Sequence, residues 1–177
     1  MSAKKPIVLH IVPRFVGAYE RWLYNLIRGH SKWDAHVVTE ERIGEDAFPF
    51  PEERIKVLPA PRDDFLGKMQ QLIAKTGYKL IGRYTRSWRG KKARRFLEII
   101  EQVRPQVIIA HFGYTAVAIS PLLKKNNTPI VIHFYGADTS SYFSYPSYSH
   151  SVLQMCKEPS VHCITPSEFQ KDVLSKN

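Results

Sequence analysis

The segment Pro129–Ser141, PIVIHFYGADTSS, constrains the fold more than any other part of the sequence, because it changes from apolar to polar within a few residues. Ile130–Ile132 are β-branched and apolar on both faces, which is typical of a strand buried on both sides of a parallel sheet. His133 follows directly, and small polar residues come after it. In open α/β sheets, ligands bind beyond the carboxyl ends of the strands. The pattern therefore predicts that His133 contacts a ligand.

A second apolar strand ends in the same way. Gln106–Ala110 leads into His111, Phe112, Gly113 and Tyr114. A histidine at the end of one strand is often a semi-buried structural residue. Two histidines at matching positions favour a shared site, although the structural interpretation stays open.

Strand patterns alternate with helical patterns along the chain. We predict strands at Ile7–Val12, Ala35–Thr39, Ile55–Leu58, Gln106–His111, Ile130–Phe134 and Val161–Ile164. Six helices are predicted between and after the strands. The first covers about 18–28, and the second runs from Asp63 or Asp64 to Gly77. The third carries a basic segment and ends at Val103, and the others lie over 114–125, near 152–157 and from Thr165 onward. This alternation indicates right-handed β-α-β units. The predicted fold is α/β: a single three-layer Rossmann-like domain over 1–177, with a parallel sheet of about six strands flanked by helices.

Three local patterns give sharper predictions. The apolar residues of the first helix, which share helical spacing and should face inward, are Tyr19, Trp22, Leu23, Leu26 and Ile27. Residues 142–150 are aromatic, serine-rich and aperiodic, and are predicted to be a loop. Thr165 is predicted to cap the last helix, with Pro166 at its first position and Glu168 completing a capping box.

Composition narrows the protein class. Hydrophobic residues make up 44% of the chain, and no apolar run reaches the roughly 20 residues that a membrane-spanning helix needs. The basic and apolar start is interrupted by Pro6, His10 and Pro13, so we interpret it as a strand and the protein as cytoplasmic. Cys156 and Cys163 lack metal-site or disulfide-framework spacing, so we expect packed thiols and no metal.

Four segments together resemble the amino-terminal domain of the family 4 retaining glycosyltransferases. They are IVLHIVPRFVGAYERWLYNL, RPQVIIAHFGYTAVAI, TPIVIHFYGADTSS and VHCITPSEFQKDVL, and they span most of the chain outside about 42–95. The resemblance implies one half of a GT-B architecture, in which the amino-terminal domain chiefly binds the acceptor. It also implies that the nucleotide-sugar domain, which carries a glutamate pair in this family, is absent from this chain, and that the half alone is inactive.

The resemblance also assigns roles to single residues. It implies transfer of a sugar from a nucleotide diphosphate sugar to an acceptor, a glycan or lipid-linked molecule, with retention and with no metal or separate cofactor. The family histidine that contacts the donor sugar matches His133, and Asp138 is the nearest carboxylate, placed either to act on the acceptor or to cap the turn. The positions expected to line the substrate are Gly17, His111, Tyr114 and Gly136.

The first loop departs from the family pattern. Family members usually have two adjacent glycines before Ala-Glu-Arg, whereas this chain reads Val16-Gly17-Ala18-Tyr19-Glu20-Arg21. Gly17 still permits close backbone approach, and the following helix offers N–H groups to an anion. The alternative for Glu20 and Arg21 is a buried structural pair.

A basic segment accounts for the net charge of +10, because Lys68–Arg95 holds ten Lys or Arg residues and no Asp or Glu. Aromatic residues are interleaved with the charges, which favours binding to an anionic membrane at the inner face. The membrane-binding residues would be Lys79, Arg83, Arg86, Trp88, Arg89, Lys91 and Lys92. Nucleic acid is the less favoured partner, and a solvated helix is the alternative without a partner.

Two other functional classes stay open. One is a non-catalytic Rossmann-like module, or a subunit of a split transferase, that docks a partner or a membrane. The other is a nucleotide-diphosphate hydrolase or epimerase, which is disfavoured because no catalytic Ser, Cys or Lys constellation is evident.

Overall fold

A computed structural model describes residues 4–58, 88, 90–123 and 128–176. The strands are β1 (Ile7–Phe15), β2 (Asp34–Arg42), β3 (Ile55–Val57), β4 (Val107–His111), β5 (Ile130–His133) and β6 (Val161–Ile164). The helices are α1 (Arg21–Arg28), α2 (Gly90–Val103), α3 (Gly113–Leu123), α4 (Pro146–Cys156) and α5 (Glu168–Ser175). The strands form one parallel sheet in the order β3-β2-β1-β4-β5-β6. The predicted α/β, Rossmann-like fold is confirmed; the helix predicted from Asp63 or Asp64 to Gly77 lies outside the described residues.

The sheet separates two apolar cores, as expected when strands are buried on both faces. On one face, α1 packs over β1 and β2, and the core contains Val8, Val12, Leu23 and Ile27. On the other face, α2, α3 and α4 pack over the centre of the sheet. The core residues there include Leu9, Ile11, Phe96, Ile99, Ile108, Ile119, Ile132 and Tyr148. Both cores therefore share β1 as their central strand.

The inward face of the first helix differs from the prediction. Leu23, Tyr24 and Ile27 are buried, whereas Tyr19 is 98% exposed and Trp22 is 41% exposed. Residues Ala18–Glu20 form a separate 3-10 turn before α1, and its three residues per turn shift the phase of the helical pattern. The helix ends at Gly29, as predicted.

Helix α4 begins earlier than predicted. It starts at Pro146, which occupies the first turn, so residues 146–150 are helical rather than part of a loop. The polar, aromatic composition of this turn obscures its periodicity, but Tyr148 is fully buried against the α3 side of the core. Pro121 lies inside α3.

The two cysteines are paired rather than free. Cys156 at the end of α4 and Cys163 in β6 form a disulfide, with their Cα atoms 6.4 Å apart. The expectation of packed thiols was wrong, because the short connection between α4 and β6 returns the chain beside the helix end.

Within the described ranges, no helix is long and apolar enough to cross a membrane.

The cap of the last helix lies two residues beyond the predicted one. The Ser167 side chain accepts a hydrogen bond from the Gln170 backbone N–H at 3.3 Å, whereas the Thr165 hydroxyl donates to the Ser167 carbonyl. Thr165 therefore shapes the approach to the helix and does not cap it.

We expect Ser167→Ala to weaken the start of α5 by about 1 kcal/mol, because it removes the acceptor of one otherwise unpaired N–H group. Hydrogen exchange at the Gln170 amide would be faster by roughly fivefold in this variant. Thr165→Ala is the matched control and should change that exchange rate much less. Equal acceleration in both variants would contradict the assignment of the cap to Ser167.

Candidate functional site

The two strand-end histidines predicted from the sequence meet at the carboxyl edge of the sheet. His111 of β4 and His133 of β5 are register partners, and their ring centroids are 5.8 Å apart. His111 is fully buried, whereas His133 is half-buried. Only His133 is therefore placed to touch a ligand directly, and His111 lies behind it.

A row of polar rings runs from His133 into the domain. The Tyr135 hydroxyl lies 2.9 Å from Nδ1 of His133 and 2.9 Å from Nδ1 of His111. Nε2 of His111 lies 2.9 Å from Nδ1 of His10, and Nε2 of His10 lies 3.1 Å from Nε2 of His30. These five residues, His30, His10, His111, Tyr135 and His133, are called the histidine–tyrosine chain below.

Burial keeps the imidazoles of this chain neutral. Desolvation lowers the pKa of His111 to about 3, and desolvation together with the nearby His111 holds the pKa of His10 well below its usual value. The pKa values of His30 and His133 are also lowered by burial. Burial, with the nearby Asp138 carboxylate, raises the pKa of Tyr135. Each ring therefore has both a donor and an acceptor at neutral pH.

Asp138 supports the turn after β5. Its side chain is 1% exposed; Oδ2 accepts a hydrogen bond from the Tyr135 N–H at 2.9 Å, and Oδ1 accepts one from the Tyr148 hydroxyl at 3.4 Å. The Gly113 N–H, at the start of α3, also donates to this carboxylate. Burial raises the pKa of Asp138 to about 6, although these hydrogen bonds oppose the shift. The burial and these three hydrogen bonds favour the capping interpretation.

The loop after β4 has no room for a side chain at Gly113. A Cβ atom there would lie 2.6 Å from a ring carbon of Phe134 and closer still to the Tyr148 hydroxyl. The preceding residue, Phe112, has a left-handed backbone with φ of 72°, a conformation that costs a non-glycine residue energy. The chain therefore turns sharply here to bring the start of α3 against Asp138.

Aromatic rings surround the exposed end of the histidine–tyrosine chain. Tyr135 packs against Trp22 of α1, with centroids 4.6 Å apart, and against Phe112 at 4.8 Å. Tyr114 stacks on Phe112 at 5.3 Å, so Trp22, Phe112, Tyr114 and Tyr135 form one aromatic wall; the role of Tyr114 in lining a substrate stays a prediction. Gly136 is exposed, with no atom within 4 Å of a Cβ built on it. A flat ligand beside His133 would meet this wall.

Gly17 lies in the first loop with its N–H group already engaged. The Gly17 N–H donates to Oε2 of Glu20 at 3.0 Å, so a carboxylate occupies the place expected for a substrate anion. Glu20 is half-buried and Arg21 is exposed, so these two residues do not form the buried pair considered from the sequence.

The basic segment is only partly described, because Lys79, Arg83, Arg86 and Arg89 lie outside the described residues. Trp88 is 6% exposed and packs edge-to-face on Phe96, so it is a core residue and the prediction that it enters a membrane was wrong. Lys92 pairs with Glu40 at 2.5 Å and lies over the Trp88 ring. The described residues of the predicted membrane-binding set are Trp88, Lys91 and Lys92, and of these Lys91 alone is exposed.

Sequence reasoning missed three members of the site. His10 lies inside the apolar run IVLHIV, where a polar residue at a buried strand position was the available signal. Tyr135 lies two residues after His133, and their rings stack at 4.4 Å. His30 follows the glycine that ends α1, and nothing in the sequence linked it to His10. Within the described ranges, no group of three or more His, Cys, Asp or Glu residues is arranged to hold a metal ion.

Comparisons with known proteins identify the fold. No protein-family model matches the chain, and no curated protein matches it. A solved structure, the crystal structure of UDP-N-acetylglucosamine 2-epimerase, is similar with a TM-score of 0.55 and 13% sequence identity; the match covers 98% of this chain. The chain spans 45% of the length of that structure's chain. At this identity the likeness shows the fold alone, an α/β Rossmann-like fold.

Proposed function

We propose that this domain is the acceptor-side half of a GT-B-type glycosyltransferase that uses a nucleotide diphosphate sugar, with the retaining chemistry of family 4. The observation that carries the proposal is the position of His133. It lies half-buried at the carboxyl end of β5, beside β4 and beneath an aromatic wall. Ligands of open α/β sheets bind at this edge.

In the proposed role, Nε2 of His133 contacts the donor sugar. Nδ1 of the same ring faces the Tyr135 hydroxyl at 2.9 Å, which fixes the ring plane. Within the described part of the chain, no side chain hydrogen-bonds to Nε2 of His133. Tyr114 and Phe112 would line the acceptor side, while Asp138 holds the turn that carries His133 and Tyr135.

The acceptor proposed here is a glycan or a lipid-linked molecule, reached at the inner face of an anionic membrane. Support comes from the net charge of +10 and from exposed Lys91 and Arg94 at the start of α2. Exposed basic residues near an anionic surface contribute about 1 kcal/mol each. Trp88 is not part of this surface because it is buried.

Transfer by the complete protein, as produced from its natural gene, tests the proposal. With a panel of nucleotide sugars and a membrane extract, we expect His133→Ala to lower the transfer rate by roughly 100-fold or more, because one hydrogen bond in a closed cleft is lost. His162→Ala is the matched control, since His162 is an exposed histidine of the neighbouring strand β6. It should leave transfer unchanged. Full transfer by a folded His133→Ala protein would exclude the proposed role.

An epimerase is the second candidate, favoured by one observation: the similar solved structure is a UDP-N-acetylglucosamine 2-epimerase. The two functions differ in their need for an acceptor. Incubation of the complete protein with nucleotide sugar alone should give no epimer if the enzyme is a transferase. Formation of an epimer without acceptor would replace the proposal. Vesicle binding without turnover of any donor would instead support the non-catalytic module.

A further inference from the structure

We propose that the histidine–tyrosine chain is a proton relay that connects His133 at the open edge of the sheet to His30 on the α1 side of the domain. The proton that enters at His133 would come from a hydroxyl of the bound sugar ligand; only this identity rests on the proposed function. His10, His111, Tyr135 and His30 are then positioning residues that act through His133.

The geometry of the relay is continuous. Each of its four links joins nitrogen or oxygen atoms 2.9 to 3.1 Å apart. The two interior imidazoles, His10 and His111, are fully buried, so water does not compete for their nitrogens. In each interior ring, one nitrogen is hydrogen-bonded to the preceding member of the chain and the other nitrogen to the following member. A neutral imidazole has one donor and one acceptor, so the direction of donation must be the same along the whole chain.

Two arrangements satisfy this rule. In the first, His133 Nδ1–H donates to Tyr135, the Tyr135 hydroxyl donates to His111 Nδ1, His111 Nε2–H donates to His10 Nδ1, and His10 Nε2–H donates to His30 Nε2. In the second, every donation is reversed. The hydrogen positions follow from this bonding rule, since heavy-atom distances are the same in both.

The relay step converts the first arrangement into the second. A ligand hydroxyl gives its proton to His133 Nε2, and the His133 Nδ1 proton passes to the Tyr135 oxygen. The Tyr135 proton passes to His111 Nδ1, the His111 Nε2 proton to His10 Nδ1, and the His10 Nε2 proton to His30 Nε2. His30 Nδ1 then releases its proton to solvent. One proton enters and one leaves, and every residue of the chain ends neutral.

The surroundings allow charge to rest only at the ends. His30 is half-buried and lines a surface cleft with Trp33, Arg28 and Arg54, of which Arg54 pairs with Asp34 at 3.1 Å, so a proton on His30 can leave to solvent there. Beside Tyr135 lie the Asp138 carboxylate and the Trp22 ring. The groups that face His10 are the other histidines of the chain. An added proton is thus disfavoured on the buried interior rings and passes through them.

The chain predicts that protonation of one end, His30 or His133, determines the tautomer of the histidine at the other end. A protonated His30 has an Nε2–H group that must donate to His10, and this forces the second arrangement, with the proton of neutral His133 on Nε2. A protonated His133 forces the first arrangement, with the proton of neutral His30 on Nδ1. Protonating both ends breaks one link, so the second end to titrate should be shifted down by about half a unit to one unit of pH.

Nitrogen NMR of the protein with ¹⁵N-labelled histidine tests the relay without any substrate. From pH 9 to pH 5.5, we expect one end of the wild-type chain, His30 or His133, to take up a proton, and the other three chain histidines to have the tautomers of the arrangement that this end requires. Tyr135→Phe removes the one hydroxyl that joins His111 to His133 and keeps the aromatic ring. In this variant His133 should no longer follow His30, while His10 and His111 still do. In His30→Gln, the His10 and His111 tautomers should follow protonation of His133 alone, because the titrating group at the other end is gone.

The outcomes separate this proposal from the proposed function. If, with one end protonated, the other three chain histidines of the wild type do not all have the tautomers of the arrangement that this end requires, the relay is excluded and the chain is a static packing feature. If the coupled change appears while no nucleotide sugar is turned over, the relay stands and the proposed function fails. His162→Gln, which alters an exposed histidine outside the chain, should leave the coupled change intact.

Discussion

We expect the protein to lose about 2 to 3 kcal/mol of its free energy of unfolding when the pH falls from 7 to 5. The cause is the burial of His10 and His111 as neutral rings. Their folded-state pKa values lie below the value of 6.5 that applies in the unfolded chain. Below pH 6.5 the unfolded chain therefore binds protons that the folded protein does not, and acid favours unfolding. Each ring contributes about 1.4 kcal/mol per pH unit.

Asp138 acts in the opposite direction. Its folded-state pKa is about 6, above the ordinary value of 3.8, so between these values the folded protein holds a proton that the unfolded chain has lost. Stability from this group therefore rises as the pH falls from 7 toward 4, by about 1.4 kcal/mol at pH 5. This partial offset leaves the two histidines dominant, which sets the sign of the net change.

Urea unfolding at a series of pH values measures the effect. His10→Gln keeps a donor and an acceptor on an uncharged side chain, and should make the loss of stability between pH 7 and pH 5 smaller. Asp138→Asn should make the loss larger by about 1.4 kcal/mol, because the offset disappears. Stability that is flat over this range, or a pH dependence that His10→Gln leaves unchanged, would show that burial does not keep these rings neutral.

The fold was predictable because its strands are buried on both faces. The runs Ile130–Ile132 and Val107–Ala110 contain only apolar residues, a pattern that indicates central parallel strands. The matching positions of the histidines at their ends follow from the geometry of a parallel sheet. The predicted ligand edge therefore contains His133 and His111. The sequence pattern does not predict how deeply each histidine is buried, and in the structure His133 is half-buried whereas His111 is fully buried.

The partners of those histidines were not predictable from local pattern. His10 is held by contacts to residues 20 and 101 positions away in the chain, and nothing within its own strand specifies them. The first helix illustrates the other failure. A 3-10 turn at Ala18–Glu20 moves Tyr24 inward and Tyr19 outward. The predicted inward face and the observed one both have apolar residues at helical spacing. Tertiary packing therefore determines which face of the helix is buried.

The second large effect is expected at Gly113. We expect Gly113→Ala to destabilise the protein by about 3 kcal/mol, the upper end of the usual range for overpacking a core. The new methyl group would lie 2.6 Å from Phe134 and closer to the Tyr148 hydroxyl, and both neighbours are fully buried. Neither ring has space to withdraw. The backbone of Gly113 is not left-handed, so the cost arises from lack of space and not from backbone strain.

The chain offers a matched control in Gly136, which occupies the corresponding loop after β5 and has nothing within 4 Å of a Cβ atom. Gly136→Ala should change the urea-unfolding midpoint little, or raise it slightly because the unfolded chain loses freedom. In the Gly113→Ala background, Tyr148→Phe removes the nearest clashing atom and should recover part of the loss. Equal midpoints for the two alanine variants would show that the core around Phe134 and Tyr148 relaxes freely, and would contradict the tight packing around Asp138, which accepts hydrogen bonds from Tyr135 and Tyr148.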